Sequence, residues 1–171
     1  DLKLHDIPKT VRARTRDLVA SGADIITVHI PGGIDMMMAA LEGAAGRAEI
    51  WGITALTSLS EEDVHLEAGH PSKATVLYRA RMAKLAGLQA VVCSPKETAM
   101  LAGRPELTGL TIVNPGVRSA GVAHGDQARV DTPIRQPRCK TSSDRSRHFT
   151  LELSERRHNS NEDTVGNRLQ Q

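Results

Sequence analysis

The first six residues, Asp1-Leu2-Lys3-Leu4-His5-Asp6, place three carboxylate or ammonium groups and an imidazole within one short β-rich run. Successive side chains of extended backbone point to opposite faces, so Asp1, Lys3 and His5 share one face while Leu2 and Leu4 share the other. In a barrel the leucines would meet the helices, and the charged set would face the interior near the C-terminal mouth. Asp1, Lys3 and Asp6 form an acid-base-acid series. Crowded at a strand end, such a series fixes an ammonium group beside a reacting carbon, because each carboxylate favours the charged form of the lysine. The same spacing describes an ordinary ion-pair network at a barrel rim, and spacing alone gives that reading the greater weight.

Residues of this kind need a scaffold, and the rest of the chain supplies an alternating one. Short β-rich runs at Asp1–His5, Asp24–Ile30, Glu49–Thr57, Leu88–Cys93 and Leu110–Asn114 alternate with helical segments near Pro8–Ala20, Ile34–Ala44, Ser72–Ala86 and Pro95–Leu101. That alternation is the pattern of βαβ units in a parallel sheet. Pro8 suits the first turn of its helix, and Gly22 stands just beyond its end. The longest interval contains a polar stretch, Ser60–His70, that reads as an active-site loop with a short helix. Five strands at this spacing fit part of a (β/α)₈ barrel or part of an open doubly wound sheet, and periodicity alone does not choose. No Gly-rich phosphate loop follows any strand, which weakens the nucleotide-binding open sheet.

Composition sets outer bounds. The 171 residues carry 22 Lys and Arg against 20 Asp and Glu, and they fall short of the roughly 200–250 residues of a complete barrel. Residues 1–133 hold 14 basic and 15 acidic side chains, whereas 134–171 hold 8 and 5. The slight basicity therefore belongs to the tail, and no patch in the body suits a polyanion. Three aromatics, Trp51, Tyr78 and Phe149, argue against a stacking platform for single-stranded nucleic acid. Two cysteines, Cys93 and Cys139, make neither a disulfide framework nor a four-ligand zinc site. No apolar run reaches the roughly 18 residues of a membrane span, so a cytoplasmic setting without membrane or nucleic-acid partners is the expectation. Residues 1–133 read as a partial barrel domain. Residues 134–171, rich in Arg, Ser, Asn and Gln, have the composition of a solvated or disordered tail, with His148–Leu153 its one amphipathic piece. The absence of an initiator Met suggests a fragment.

Asp1-Leu2-Lys3-Leu4-His5-Asp6-Ile7-Pro8-Lys9-Thr10 resembles the D-x-K-x-x-D-I-P-x-T signature of the orotidine 5′-phosphate decarboxylases. Further matches follow in that family's order: Val28-His29 then Gly32-Gly33, Leu56-Thr57-Ser58, Val91-Val92-Cys93-Ser94, Pro115-Gly116-Val117-Arg118 and Gly125-Asp126-Gln127. The resemblance covers about residues 1–133. It implies a lyase that converts orotidine 5′-phosphate to UMP and carbon dioxide in pyrimidine biosynthesis. The fold it implies is a (β/α)₈ barrel acting as a homodimer with no metal or organic cofactor, of which about five of eight βα units are present here. By the same resemblance Lys3 protonates C6 of the pyrimidine, Asp1 lies beside the substrate carboxylate, and Asp6 reaches the partner subunit's site, with Ile7 and Thr10 near it. Thr57 and Ser58 match contacts to the pyrimidine, and Arg118 and Gln127 bracket the loop that closes over the phosphate.

Plainer readings stand beside these. Thr57 and Ser58 also suit a strand-ending turn, and Arg118 and Gln127 would otherwise pass as surface residues. His29 is more often packed than catalytic, Cys93 reads as inert core, and Met36-Met37-Met38 reads as helix-face packing. Arg79, Arg81 and Lys84 read as a solvated helix face. Magnesium-dependent sugar-phosphate synthases and decarboxylases share the Asp-x-Lys-x-x-Asp strand, but Ile7-Pro8 and Thr10 favour the pyrimidine enzyme. A non-catalytic degenerate half-barrel is the other alternative. The family places two strands before the Lys3 strand and a Gly-Arg strand after residue 133. Neither is recognisable here, so this chain alone is expected to fold poorly or lack activity.

Overall fold

The computed structural model describes residues 1–115. Its elements are α1 (Pro8–Ala20), β1 (Ile25–His29), α2 (Ile34–Ala44), β2 (Glu49–Ile53), α3 (Glu61–Ala68), α4 (Ser72–Ala86), β3 (Ala90–Val92), α5 (Pro95–Ala102) and β4 (Thr111–Val113), with short 3₁₀ turns at Ile30–Gly32 and Pro105–Leu107. The four strands form one parallel sheet in the order β1-β2-β3-β4. A parallel bridge from Leu4 to Val28 adds the N-terminal segment on the far side of β1. Sequential order matters: a doubly wound sheet reverses direction at a switch point, whereas a barrel adds each strand beside the last. Right-handed crossovers in a sequential sheet leave every helix on one face. Accordingly α1 packs on α2, α2 on α4, and α4 on α5. The described residues are a segment of a (β/α)₈ barrel.

Strand register separates the two faces. Ile26, Val28, Ile50 and Val91 belong to the core between sheet and helices, joined there by Val11, Met36, Met37, Val76, Ala80 and Leu101. Burying a side chain of this size contributes roughly 1.5–3 kcal/mol. Thr27, Trp51 and Ala90 lie side by side on the opposite face, with His29, Ile53 and Val92 one step nearer the strands' C-terminal ends. Gly52 sits on the helix face because a Cβ there would lie 2.8 Å from the Ile30 side chain and 2.9 Å from Leu88.

Several expectations need correction. The Asp1–His5 strand contracts to the single bridge at Leu4, whose N–H donates to the Thr27 carbonyl and whose carbonyl accepts from His29, because Lys3 takes a left-handed φ of 49° that breaks the extended run. Leu4 packs against the core, but Leu2 is 63% exposed instead of facing helices. The strand from Glu49 stops at Ile53, four residues short of Thr57, and a turn closed by the Leu59 N–H on the Leu56 carbonyl follows. Met36 and Met37 are fully buried whereas Met38 faces outward. Arg79 is not solvated: it points into the fold at 8% exposure. Cys93 is buried in the core, and its Sγ accepts from Asn114 Nδ2 at 3.6 Å. Ser60–His70 does carry a short helix, α3, started by a reciprocal Ser60–Asp63 capping box. Among the described residues no helix is long and apolar enough to cross a membrane.

Candidate active site

The C-terminal ends of parallel strands carry the functional groups of a barrel, since the loops that follow converge there. At the edge of this sheet the Asp1 carboxylate is held at both oxygens. Its Oδ1 accepts from Thr27 Oγ1 at 2.6 Å, and its Oδ2 accepts from Lys3 Nζ at 2.5 Å. Thr27 also accepts from the backbone N–H of Lys3 at 2.9 Å, so one hydroxyl uses its donor and an acceptor site to fix both ends of the ion pair. Thr27 itself is 8% exposed on β1, while the Asp1 side chain is open to solvent and that of Lys3 is half-buried. A left-handed non-glycine residue costs on the order of 1–3 kcal/mol and persists where its surroundings over-determine it. At Lys3 those surroundings are Thr27 and the flanking bridge.

Next to the pair lie two histidines. The His5 and His29 rings have centroids 5.4 Å apart and are tilted by 40°. Burial chiefly, then the neighbouring His5 and Lys3, pushes the His29 imidazole below its ordinary pKa, with Arg79 adding to this and Glu67 opposing it. His29 is thus held toward the neutral form. It stands half-buried at the end of β1, as a packed histidine would.

The remaining expected residues are more scattered. Asp6 is exposed, and its Oδ1 accepts from the Ile7 N–H at 2.7 Å instead of meeting Lys3. Ile7 caps α1 with its side chain 65% exposed, and Thr10 is half-buried on the first turn. Thr57 is buried and Ser58 more open, in the turn after β2. Arg118 and Gln127 lie outside the described residues, as does the tail 134–171. Sequence reading missed Thr27 and Arg79. Alternation along β1 sets Thr27 opposite the apolar Ile26 and Val28, and a hydroxyl among buried β-branched residues was the signal available for it.

A sequential parallel sheet with helices on one face, carrying an acid-lysine pair on its first segment, is a segment of a (β/α)₈ barrel. The family model described as "Orotidine 5'-phosphate decarboxylase / HUMPS family" matches residues 1–141. The chain belongs to that family. It is 46% identical over 134 residues to an orotidine 5′-phosphate decarboxylase of Anaeromyxobacter dehalogenans, covering 78% of this chain and 59% of the relative. It is also 46% identical over 135 residues to one of Thermobifida fusca, covering 78% and 57%. The crystal structure of orotidine 5′-phosphate decarboxylase from Lactobacillus acidophilus superposes with a TM-score of 0.62 at 33% identity, over 69% of this chain and 56% of that one. The chain therefore spans somewhat under three-fifths of the length of the curated relatives it matches.

Proposed function

We propose that the full-length protein containing this chain decarboxylates orotidine 5′-phosphate to UMP as a homodimeric cytoplasmic enzyme without a cofactor. The observation that carries this reading is the Asp1–Lys3 pair fixed by Thr27, on a chain whose relatives bear that enzyme's name. In the proposed reaction the bond from C6 to the carboxylate breaks, its electron pair stays on C6, and Lys3 Nζ delivers a proton there. Two like charges about 4 Å apart repel by roughly 4 kcal/mol at an effective dielectric near 20, so Asp1 beside the substrate carboxylate favours departure of carbon dioxide. The larger share is assigned to Lys3, whose positive charge stabilises the carbanion as it develops. Asp6, Ile7 and Thr10, exposed or half-exposed in this chain, would serve the partner subunit's site. Thr57 and Ser58 would hold the pyrimidine, and Arg118 and Gln127 the phosphate. In this reading residues 1–133 form the barrel portion and 134–171 take no part.

The family description also spans a second group of enzymes, and a magnesium-dependent keto sugar phosphate reaction is the alternative. Ile7-Pro8 and Thr10 after Asp6 favour the first reading. The test offers both substrates to the full-length protein with and without EDTA. Turnover of orotidine 5′-phosphate that survives EDTA is expected. EDTA-sensitive turnover of the sugar phosphate alone would replace the assignment.

A further inference from the structure

Arg79 is a cation placed on the buried face of α4 with Thr75, Val76, Ala80, Ala83 and Ala86. Its guanidinium ends on two other elements. Nη1 donates to the Thr54 carbonyl at 2.7 Å, and Nη2 donates to Glu67 Oε1 on α3 at 2.9 Å. Burying a permanent charge is unfavourable unless its partners are well placed, and an apolar side chain would fill the space at less cost. What the charge provides is a fixed link between the end of β2 and the end of α3. Thr54 is held from the other side too, since its N–H and its Oγ1 both donate to the Val92 carbonyl, at 3.1 and 2.7 Å. At the opposite end of α3, Glu61 accepts from the Ser72 N–H and hydroxyl. Only Val64 of α3 is buried, so polar ties rather than core packing hold this helix in place.

We propose that Arg79 is a positioning residue for the turn Thr54–Ser58: by tying the Thr54 carbonyl to α3 it sets where Thr57 and Ser58 stand at the sheet's C-terminal end. Its consequence for turnover rests on the reading of those two residues as pyrimidine contacts. Arg79 lowers the His29 pKa and Glu67 raises it, each less than burial, His5 and Lys3 do, so loss of either charge should be felt at that histidine.

The test uses the full-length protein and three variants, Arg79→Gln, Arg79→Lys and Glu67→Gln. In Arg79→Gln, amide exchange across Thr54–Leu59 is expected to quicken by about tenfold or more while β1 and α2 keep their protection, with Arg79→Lys restoring part of it. Burial and the His5 and Lys3 charges should keep the His29 pKa below its ordinary value in every variant. Within that range it should rise in Arg79→Gln, fall in Glu67→Gln and hold in Arg79→Lys, a pattern that mere loosening does not produce. Turnover in Arg79→Gln should fall about tenfold in kcat/KM, chiefly through KM. Unchanged exchange at the turn overturns the proposal. Faster exchange with unchanged kcat/KM overturns the link to the pyrimidine. A wild-type protein without decarboxylase activity sinks the functional reading, and exchange still decides the positioning. Should Arg79→Gln not fold, unchanged exchange in both other variants overturns it.

Discussion

Thr27 Oγ1 donates to Asp1 Oδ1 at 2.6 Å, joining the middle of β1 to a residue twenty-six positions earlier. The same oxygen accepts from Lys3 N–H, so Thr27→Val removes two bonds with little change of volume. Losing a hydrogen bond to a charged group costs about 1.5–3 kcal/mol. Lys3, no longer over-determined, would relax from its left-handed conformation. In the full-length protein, kcat should fall about tenfold or more with a smaller change in KM, because the reacting groups lose their alignment. Steady-state kinetics of Thr27→Val check this, and wild-type kcat would remove Thr27 from the site.

A second expectation concerns packing of α1 on α2. A Cβ on Gly43 would lie 2.5 Å from the Arg12 carbonyl oxygen and 2.9 Å from Thr15 Cβ. Helix propensity favours Ala over Gly by about 1 kcal/mol, but the obstacle is backbone, which moves only if the helices part. Overpacking costs typically about 1–3 kcal/mol, so Gly43→Ala should be destabilising on balance. Urea unfolding would show a lower midpoint, and a raised midpoint would contradict this packing.

His29 makes stability depend on pH. Its folded pKa lies below the ordinary 6.5 through burial and then the His5 and Lys3 charges. The unfolded state therefore binds more protons as pH drops below about 6.5. The stabilisation is fully present above that value and is lost as pH falls through the lowered folded pKa. His29→Gln should flatten this acid-side slope in urea titrations at pH 7.5 and 5.5. An unchanged slope would mean that other groups carry the effect.

Much of this architecture was legible because helix ends carry local chemistry. Pro8–Ala20, Ile34–Ala44 and Ser72–Ala86 match α1, α2 and α4 residue for residue, where Pro8 and the later Gly87 mark start and stop. Strand lengths were less legible, since a ladder ends where tertiary partners intervene: Lys3 turns left-handed to meet Thr27, and Arg79 takes the Thr54 carbonyl. Arg79 was misread by grouping it with Arg81 and Lys84. Residues two positions apart on a helix differ by about 200°, so Arg79 and Arg81 cannot share a face. Arg81 reaches Glu106 and Lys84 reaches the Thr108 carbonyl outside, whereas Arg79 follows the 3.6-residue period of Val76, Ala80 and Ala83 inward.

The 171 residues taken by themselves should not turn over orotidine 5′-phosphate. The 134 matched residues span 59% of a relative's length, and the proposed phosphate contacts are two, Arg118 and Gln127. Charge-assisted hydrogen bonds contribute about 1.5–3 kcal/mol each. Two of them leave UMP affinity no better than about millimolar once the loop is ordered. Calorimetric titration with UMP checks this, and micromolar affinity would show that these residues form a complete site.

The most direct measurement compares wild type with Lys3→Ala in the full-length protein, following loss of orotidine 5′-phosphate by absorbance and UMP affinity by calorimetry. Removing the proton donor and the cation that stabilises the carbanion should abolish measurable turnover while UMP still binds, because the remote phosphate supplies separate binding energy. Near-normal turnover in Lys3→Ala would contradict the role given to the Asp1–Lys3 pair and show that another group protonates C6.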